Sequence, residues 1–252
     1  MLQIHFTKNI CSAIFILVLI SGFTRCQKQT LPDPVSTVSI EEFETRLDSF
    51  RKQSNIPGMV AGIVRDGQVI WTKGYGFENV SQQKLVTNAT IFHLASLTKT
   101  FASTVIIKLV DENKIKLNDP VSKYGINLTE KDTVRVIHLL THTSEGVPGS
   151  QYKYSGDRYA LLSNVIKSAT GESFDKLATE KIMRHLGLQN TAPSDMKLAA
   201  LDGFDTFSLK QKIAQGYASD GTQKVNYPKN FSTAAGLISN IDEMLRYAAA
   251  FD

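Results

Sequence analysis

An α+β fold, with an antiparallel sheet and a helical region, is what this sequence predicts. Three observations point there. Two apolar runs, Met59–Val64 and Val69–Gly74, flank Asp66-Gly67, a dipeptide that closes tight hairpins. Leu97, Phe101, Val105, Ile106 and Leu109 then recur at spacings of three and four, the period of an amphipathic helix. Downstream, several short helical patterns follow one another between glycine and proline breaks.

The elements follow in order. Ile40, Phe43, Leu47 and Phe50 mark a first amphipathic helix, with Ser39 as N-cap and Glu42 as its capping-box partner. Pro57-Gly58 ends it, and the hairpin follows, with Gly74 and Gly76 loosening its exit. Residues 78–89 read as a polar loop. The helix after Ser96 ends near Asp111, and a turn over Ile115–Pro120 enters a short helix. Thr133–Leu140, Asp157–Ser168 and Phe174–His185 read as further helices, the last two closed by Gly171 and Gly187. Residues 191–229 look irregular and polar. Ala234–Ile238 reads as a buried turn or strand, and Asp242–Ala250 as a final helix.

Composition bounds the function. The chain has 252 residues, 42% hydrophobic and 21% charged, which suits one large globular domain or two small ones. Its formal charge is +4, and no dense basic run or aromatic-basic interleaving accompanies it. A nucleic-acid partner is therefore not expected. Lys8 precedes an apolar run from Ile10 to Ile20, then small and polar residues. That pattern predicts an export leader over 1–26, with an uncleaved anchor as the alternative, since the run is short for a membrane span. Residues 27–38 form a Pro/Ser/Thr-rich linker, and 39–252 the folded body. Both cysteines, Cys11 and Cys26, fall in the leader, so the body has no disulfide and no thiol nucleophile. Cys26 is a candidate lipid-bearing residue of a bacterial lipoprotein, although Arg25 before it suits that cleavage badly. The expected location is the periplasm or cell envelope, with membrane contact only through the leader or a lipid on Cys26.

The chemistry centres on Ile91–Phe101. An apolar run ends at Ser96, the long helix begins, and Lys99 lies one turn on along the same face. A serine hydroxyl needs a neighbouring base to become a nucleophile. A helix N-terminus favours developing negative charge. Burial disfavours an ammonium, so a lysine there can take the serine's proton. The spelling alone decides nothing, because Ser49/Lys52, Ser81/Lys84, Ser150/Lys153, Ser173/Lys176 and Ser194/Lys197 share it. Only Ser96 opens a long apolar helix; the other five lie in polar surroundings. From the residues alone, Ser96 is either a nucleophile or an ordinary capping serine.

Several segments together resemble one family. The hairpin, Leu94-Ala95-Ser96-Leu97-Thr98-Lys99-Thr100-Phe101 and Leu139-Leu140-Thr141-His142-Thr143-Ser144 come first. Tyr154-Ser155-Gly156-Asp157, Leu186-Gly187-Leu188-Gln189-Asn190-Thr191 and Ala235-Gly236-Leu237-Ile238-Ser239 follow in order. The set resembles the β-lactamase-related serine hydrolases, which include class C β-lactamases, D-Ala-D-Ala carboxypeptidases, penicillin-binding proteins and esterases. The resemblance implies a β-lactamase/transpeptidase-like fold and an acyl-enzyme reaction on an amide or ester carbonyl, with no metal or organic cofactor. It implies Ser96 as nucleophile, Lys99 as its base partner and Tyr154 as proton relay. Thr141–Ser144 is implied to be a structural turn, so His142 is not read as a triad base. Gly156 stands where the family has an asparagine that contacts substrate. The family's third motif, a Lys- or His-led triplet on a later strand, is not found by Asp252, which predicts that C-terminal strands are missing. Those two departures leave open a non-catalytic relative that binds cell-wall peptide or a protein partner, and an esterase.

Overall fold

Residues 38–224 and 231–251 are described by the computed structural model. The predicted leader and all but the last residue of the linker lie outside them. The first helix, α1 (Ile40–Gln53), starts where Ser39 accepts the Glu42 N–H at 3.1 Å. The Glu42 carboxylate instead accepts from Arg46, four residues on, at 2.6 Å. Phe43 meets Trp71 edge-on at 5.3 Å, which lays α1 against the hairpin.

Strands β1 (Gly58–Arg65) and β2 (Gln68–Asn79) form that hairpin, antiparallel throughout. Asp66 and Gly67 both take positive φ, as a two-residue primed turn demands. A short strand, β3 (Lys84–Leu85), adds to the far side of β2 inside the predicted polar loop. β2 runs five residues past its predicted end at Gly74. Its glycines mark close contacts, not a loosened exit. A Cβ on Gly76 would lie 2.2 Å from the Pro57 carbonyl oxygen, at φ +68.

β4 (Phe92–His93) leads through a tight 3₁₀ turn, Ala95–Leu97, into α2 (Thr98–Asp111). Phe101, Val105, Ile106 and Leu109 are buried as the period predicts, but Leu97 is 53% exposed. Leu97 sits in the 3₁₀ turn, whose different angular step breaks the helical register. A helical region follows: α3 (Val136–Leu140), α4 (Gly156–Ala160), α5 (Leu162–Thr170) and α6 (Phe174–Ala178). The predicted 133–140 helix starts late because Arg135 is extended, at φ −114 and ψ 162. The predicted 157–168 helix is two, parted at Leu161, and α6 passes into a π-helical turn over Thr179–Met183.

The stretch from 191 onward is more ordered than its composition suggests. It holds β5 (Ala192–Pro193), α7 (Met196–Leu201), α8 (Thr206–Lys212), β6 (Gly216–Tyr217) and β7 (Gln223–Lys224). Asp195 and Asp205 each accept two backbone N–H groups, so capping rather than apolar period starts α7 and α8. β8 (Leu237–Ser239) is the centre of a second sheet, in the order β4-β8-β5. α9 (Ile241–Ala249) closes the described chain and packs on β1 and β2, with Leu245 against Gly62.

The main core joins α2 to the helical region through Phe101, Leu109, Leu162, Ile166 and Met183, all at 0% exposure. From α9, Tyr247 stacks on Phe101 with ring centres 4.0 Å apart. Glu243 of α9 is 5% exposed and ties the loop before β5 in place. One of its oxygens accepts from Gln189 N, Asn190 N and Asn190 Nδ2 at 2.8–2.9 Å, and the other from Thr191 Oγ1 at 2.7 Å.

Three substitutions test these contacts by their effect on stability. Glu243→Ala strands four donors and is expected to lower the unfolding free energy by about 3 kcal/mol in urea titration. Gly76→Ala is expected to cost about 1–3 kcal/mol through overpacking. Gly156→Ala, which meets nothing within 4 Å, is expected to stay within ~0.5 kcal/mol of the parent.

Candidate active site

The site is built at the head of α2. Pairing of β4 with β8 carries the chain to Leu94, whose N–H donates to the Leu237 carbonyl at 2.9 Å. Ala95 then takes φ +47, a conformation L-residues adopt at a cost, and turns the chain into the 3₁₀ turn. Ser96 is left exposed on that turn, immediately before the buried helix. Thr98 locks the joint by accepting the Leu237 N–H on its Oγ1 at 3.1 Å.

Lys99 comes off the first turn of α2 and is 9% exposed. Its Nζ donates to Ser96 Oγ at 3.1 Å and to the Ala234 carbonyl at 2.8 Å. The ammonium also lies 5.0 Å from the Tyr154 ring centre and 5.3 Å from that of Tyr159, a cation–π setting on two sides. Tyr159 is fixed in turn, because its hydroxyl donates to the Lys99 carbonyl at 3.0 Å.

Tyr154 arrives from the loop before α4, and its hydroxyl lies 2.6 Å from Ser96 Oγ. Burial pushes the phenol's pKa up. Hydrogen bonding to Lys99 and Ser96, with the Lys99 charge, outweighs it and holds the phenol below its ordinary value. His142 lies against Tyr154 with ring centres 4.5 Å apart. Burial and the Lys99 charge hold its imidazole below the ordinary histidine range.

Ser96 and Lys99, one turn apart, and Tyr154, 58 residues beyond Ser96, thus meet around one hydroxyl. Four of the five other Ser-x-x-Lys lysines are engaged elsewhere. Lys52, Lys84, Lys153 and Lys176 reach the carboxylates of Asp48, Glu78, Glu145 and Glu172. Gly156, the fourth residue singled out from sequence, is the first residue of α4, and the space beside its Cα is open. The Ala234 carbonyl, Tyr159 and Thr233 were not legible as site residues. Thr233 is fully buried and donates to the Tyr159 carbonyl at 2.9 Å, which pins the turn that presents Ala234. Only the small-residue run Thr233-Ala234-Ala235-Gly236 hinted at a tight turn there. Among the described residues, no group of three His, Cys, Asp or Glu side chains could hold a metal ion.

The family model described as Beta-lactamase matches residues 43–251. The chain belongs to the beta-lactamase family. Its fold is the β-lactamase/transpeptidase fold, with mixed helix and antiparallel sheet. A penicillin-binding protein homologue from Pyrococcus abyssi, an octamer, superposes with TM-score 0.74 at 24% identity, covering 85% of this chain and 56% of that one. D-alanine carboxypeptidase AmpC from Burkholderia cenocepacia superposes with TM-score 0.68 at 25% identity, covering 82% and 62%. Among curated relatives, Protein flp of Staphylococcus aureus is 27% identical over 191 residues, 61% of this chain and 38% of its own length. A Beta-lactamase of Pseudomonas fluorescens is 22% identical over 204 residues, 69% of this chain and 57% of its own. This beta-lactamase-family chain therefore spans well under two thirds of the curated relatives it matches. Membership supports a serine-hydrolase-like function in general terms.

The geometry of this cluster makes one electrostatic prediction. With the cation removed in Lys99→Met, the Tyr154 phenol is expected to titrate at a higher pH than in the parent. Nuclear magnetic resonance of ring-labelled tyrosine, assigned with Tyr154→Phe, reads the shift.

Proposed function

We propose that the chain is a serine hydrolase that works through an acyl-enzyme on an amide or ester carbonyl. One observation carries the reading: Ser96 Oγ sits 3.1 Å from Lys99 Nζ and 2.6 Å from Tyr154 Oη, at the head of a buried helix. In this reading Tyr154, held as a phenolate by the Lys99 ammonium, takes the Ser96 proton and becomes a phenol as Oγ attacks the carbonyl carbon. The phenol, held below its ordinary pKa, stays close enough to carry that proton to the leaving group. The carbonyl π pair moves onto oxygen, then returns to expel the leaving group and leave an ester on Ser96. Water completes the cycle by attacking that ester. The Ser96 N–H, next to the N-terminal end of α2, would supply one donor to the developing oxyanion.

The substrate class is a small molecule or peptide with an exposed acyl group. Gly156 favours esters as a second reading. The family's asparagine amide is replaced there by open space, so a group that would grip a substrate amide is missing. The same substitution leaves a non-catalytic relative as a further outcome of the test. The leader and the Cys26 lipid remain part of the proposal: an exported protein of the cell envelope. No described helix is long and apolar enough to cross a membrane.

A fluorophosphonate probe and a fluorescent penicillin decide among these. Adduct formation is expected on the folded parent and is expected to vanish in Ser96→Ala. Lys99→Ala is expected to slow labelling by about 10²–10⁴-fold, the usual worth of a proton-transfer group. Turnover of a nitrophenyl ester without penicillin labelling selects the esterase. No adduct with either probe on folded protein would falsify the catalytic reading.

A further inference from the structure

The turn carrying His142 and the loop carrying Tyr154 meet at three points. The His142 carbonyl accepts the N–H of Lys153 at 2.7 Å. Its ring Nδ1 accepts the N–H of Ser155 at 3.2 Å. Those two donors are the residues immediately before and after Tyr154. The imidazole itself lies against the Tyr154 ring at 4.5 Å, tilted by 31°. It also lies 5.2 Å, centre to centre, from Tyr159, whose hydroxyl donates to the main chain of Lys99. His142 is 9% exposed and holds φ +55, a left-handed conformation that costs a non-glycine residue energy.

Tyr154 needs such support. It is 52% exposed and sits in a loop, not in a helix or strand. Its phenol has to stay within hydrogen-bonding reach of Ser96 Oγ and close to Lys99 Nζ at once. A loop tyrosine left to itself would sample several rotamers and lose that overlap for much of the time.

We propose that His142 is the positioning residue for Tyr154, gripping the main chain on both sides of it and stacking on its ring so that the phenol stays over Ser96 and Lys99. The proposal rests on the reading of Tyr154 as the proton relay and adds what places it. His142 does not touch the reacting atoms. Its Nδ1 is an acceptor in this arrangement, which puts any ring proton on Nε2. The left-handed backbone aims that acceptor at Ser155.

Two variants separate this role from mere stability. His142→Ala removes the acceptor and the ring. His142→Asn keeps an acceptor oxygen where Nδ1 stands, and asparagine accepts the left-handed backbone readily. Fluorophosphonate labelling of Ser96, in which Oγ bonds phosphorus and fluoride leaves, is expected to slow on the order of 10²-fold in His142→Ala, the usual effect of a misplaced catalytic group. His142→Asn is expected to recover most of that loss. The ring-labelled Tyr154 resonance is expected to titrate below its ordinary value in the parent and in His142→Asn, and to move up in His142→Ala as the phenol leaves Lys99. Thermal melting establishes that each variant is folded.

A folded His142→Ala that takes the fluorophosphonate at the parental rate with an unmoved Tyr154 titration overturns the proposal. Should that variant not fold, a folded His142→Asn with a raised Tyr154 titration and alanine-like slow labelling overturns the role given to the Nδ1 acceptor. If the parent takes no probe at all, the hydrolase reading fails by itself. The Tyr154 titration in the three proteins still decides whether His142 places the phenol.

Discussion

A buried ammonium has to be met by acceptors, or it is expelled or neutralised. Lys99 meets that demand with the Ala234 carbonyl, the Ser96 hydroxyl and the faces of two tyrosines. Each of these comes from a different part of the fold. Ala234 depends on the turn before β8, Ser96 on the joint between β4 and α2, Tyr154 on the loop before α4 and Tyr159 on α4 itself. Satisfying this one cation therefore draws the second sheet, the central helix and the helical region to a single point.

That constraint explains the tightness of the surrounding backbone. Ala95 and His142 both hold left-handed conformations beside the site. Thr98, Thr233 and Ser163 spend their side chains on backbone partners, since Ser163 Oγ accepts the Thr233 N–H at 3.0 Å. A network in which each polar group has a partner resists small displacements, and that stiffness keeps Ser96, Lys99 and Tyr154 within reach of one another. The apolar core beneath serves the same end. Phe101 and Ile106 are at 0% exposure and fix the axis of α2, so the first turn of that helix cannot wander.

Much of this was legible in the chain. The Asp66-Gly67 hairpin, the capping Ser39 and the apolar period from Phe101 to Leu109 are local signals, and local chemistry settled them. So was the pairing of Ser96 with Lys99, because three residues of helix dictate their distance. The resemblance to β-lactamase-related hydrolases brought Tyr154 into the group. Where the reading failed, the deciding contact was mostly remote. β2 continues past Gly74 because Pro57 and Val86 close on its glycines. The order in 191–224 comes partly from short pairings with strands far away in sequence, and partly from two aspartate caps, local signals that the polar composition masked.

What the sequence determined by itself is the set of short-range features, since helical spacing, turn dipeptides and caps act across four residues or fewer. It also supplied the chemical parts: a serine before a helix, a lysine one turn on, a tyrosine in a later loop. Only the tertiary structure decided that the Ala234 carbonyl would hold the lysine and that His142 would grip both flanks of Tyr154. A backbone carbonyl carries no residue identity to read. A histidine in a turn looks the same whether it grips a loop or simply fills a gap.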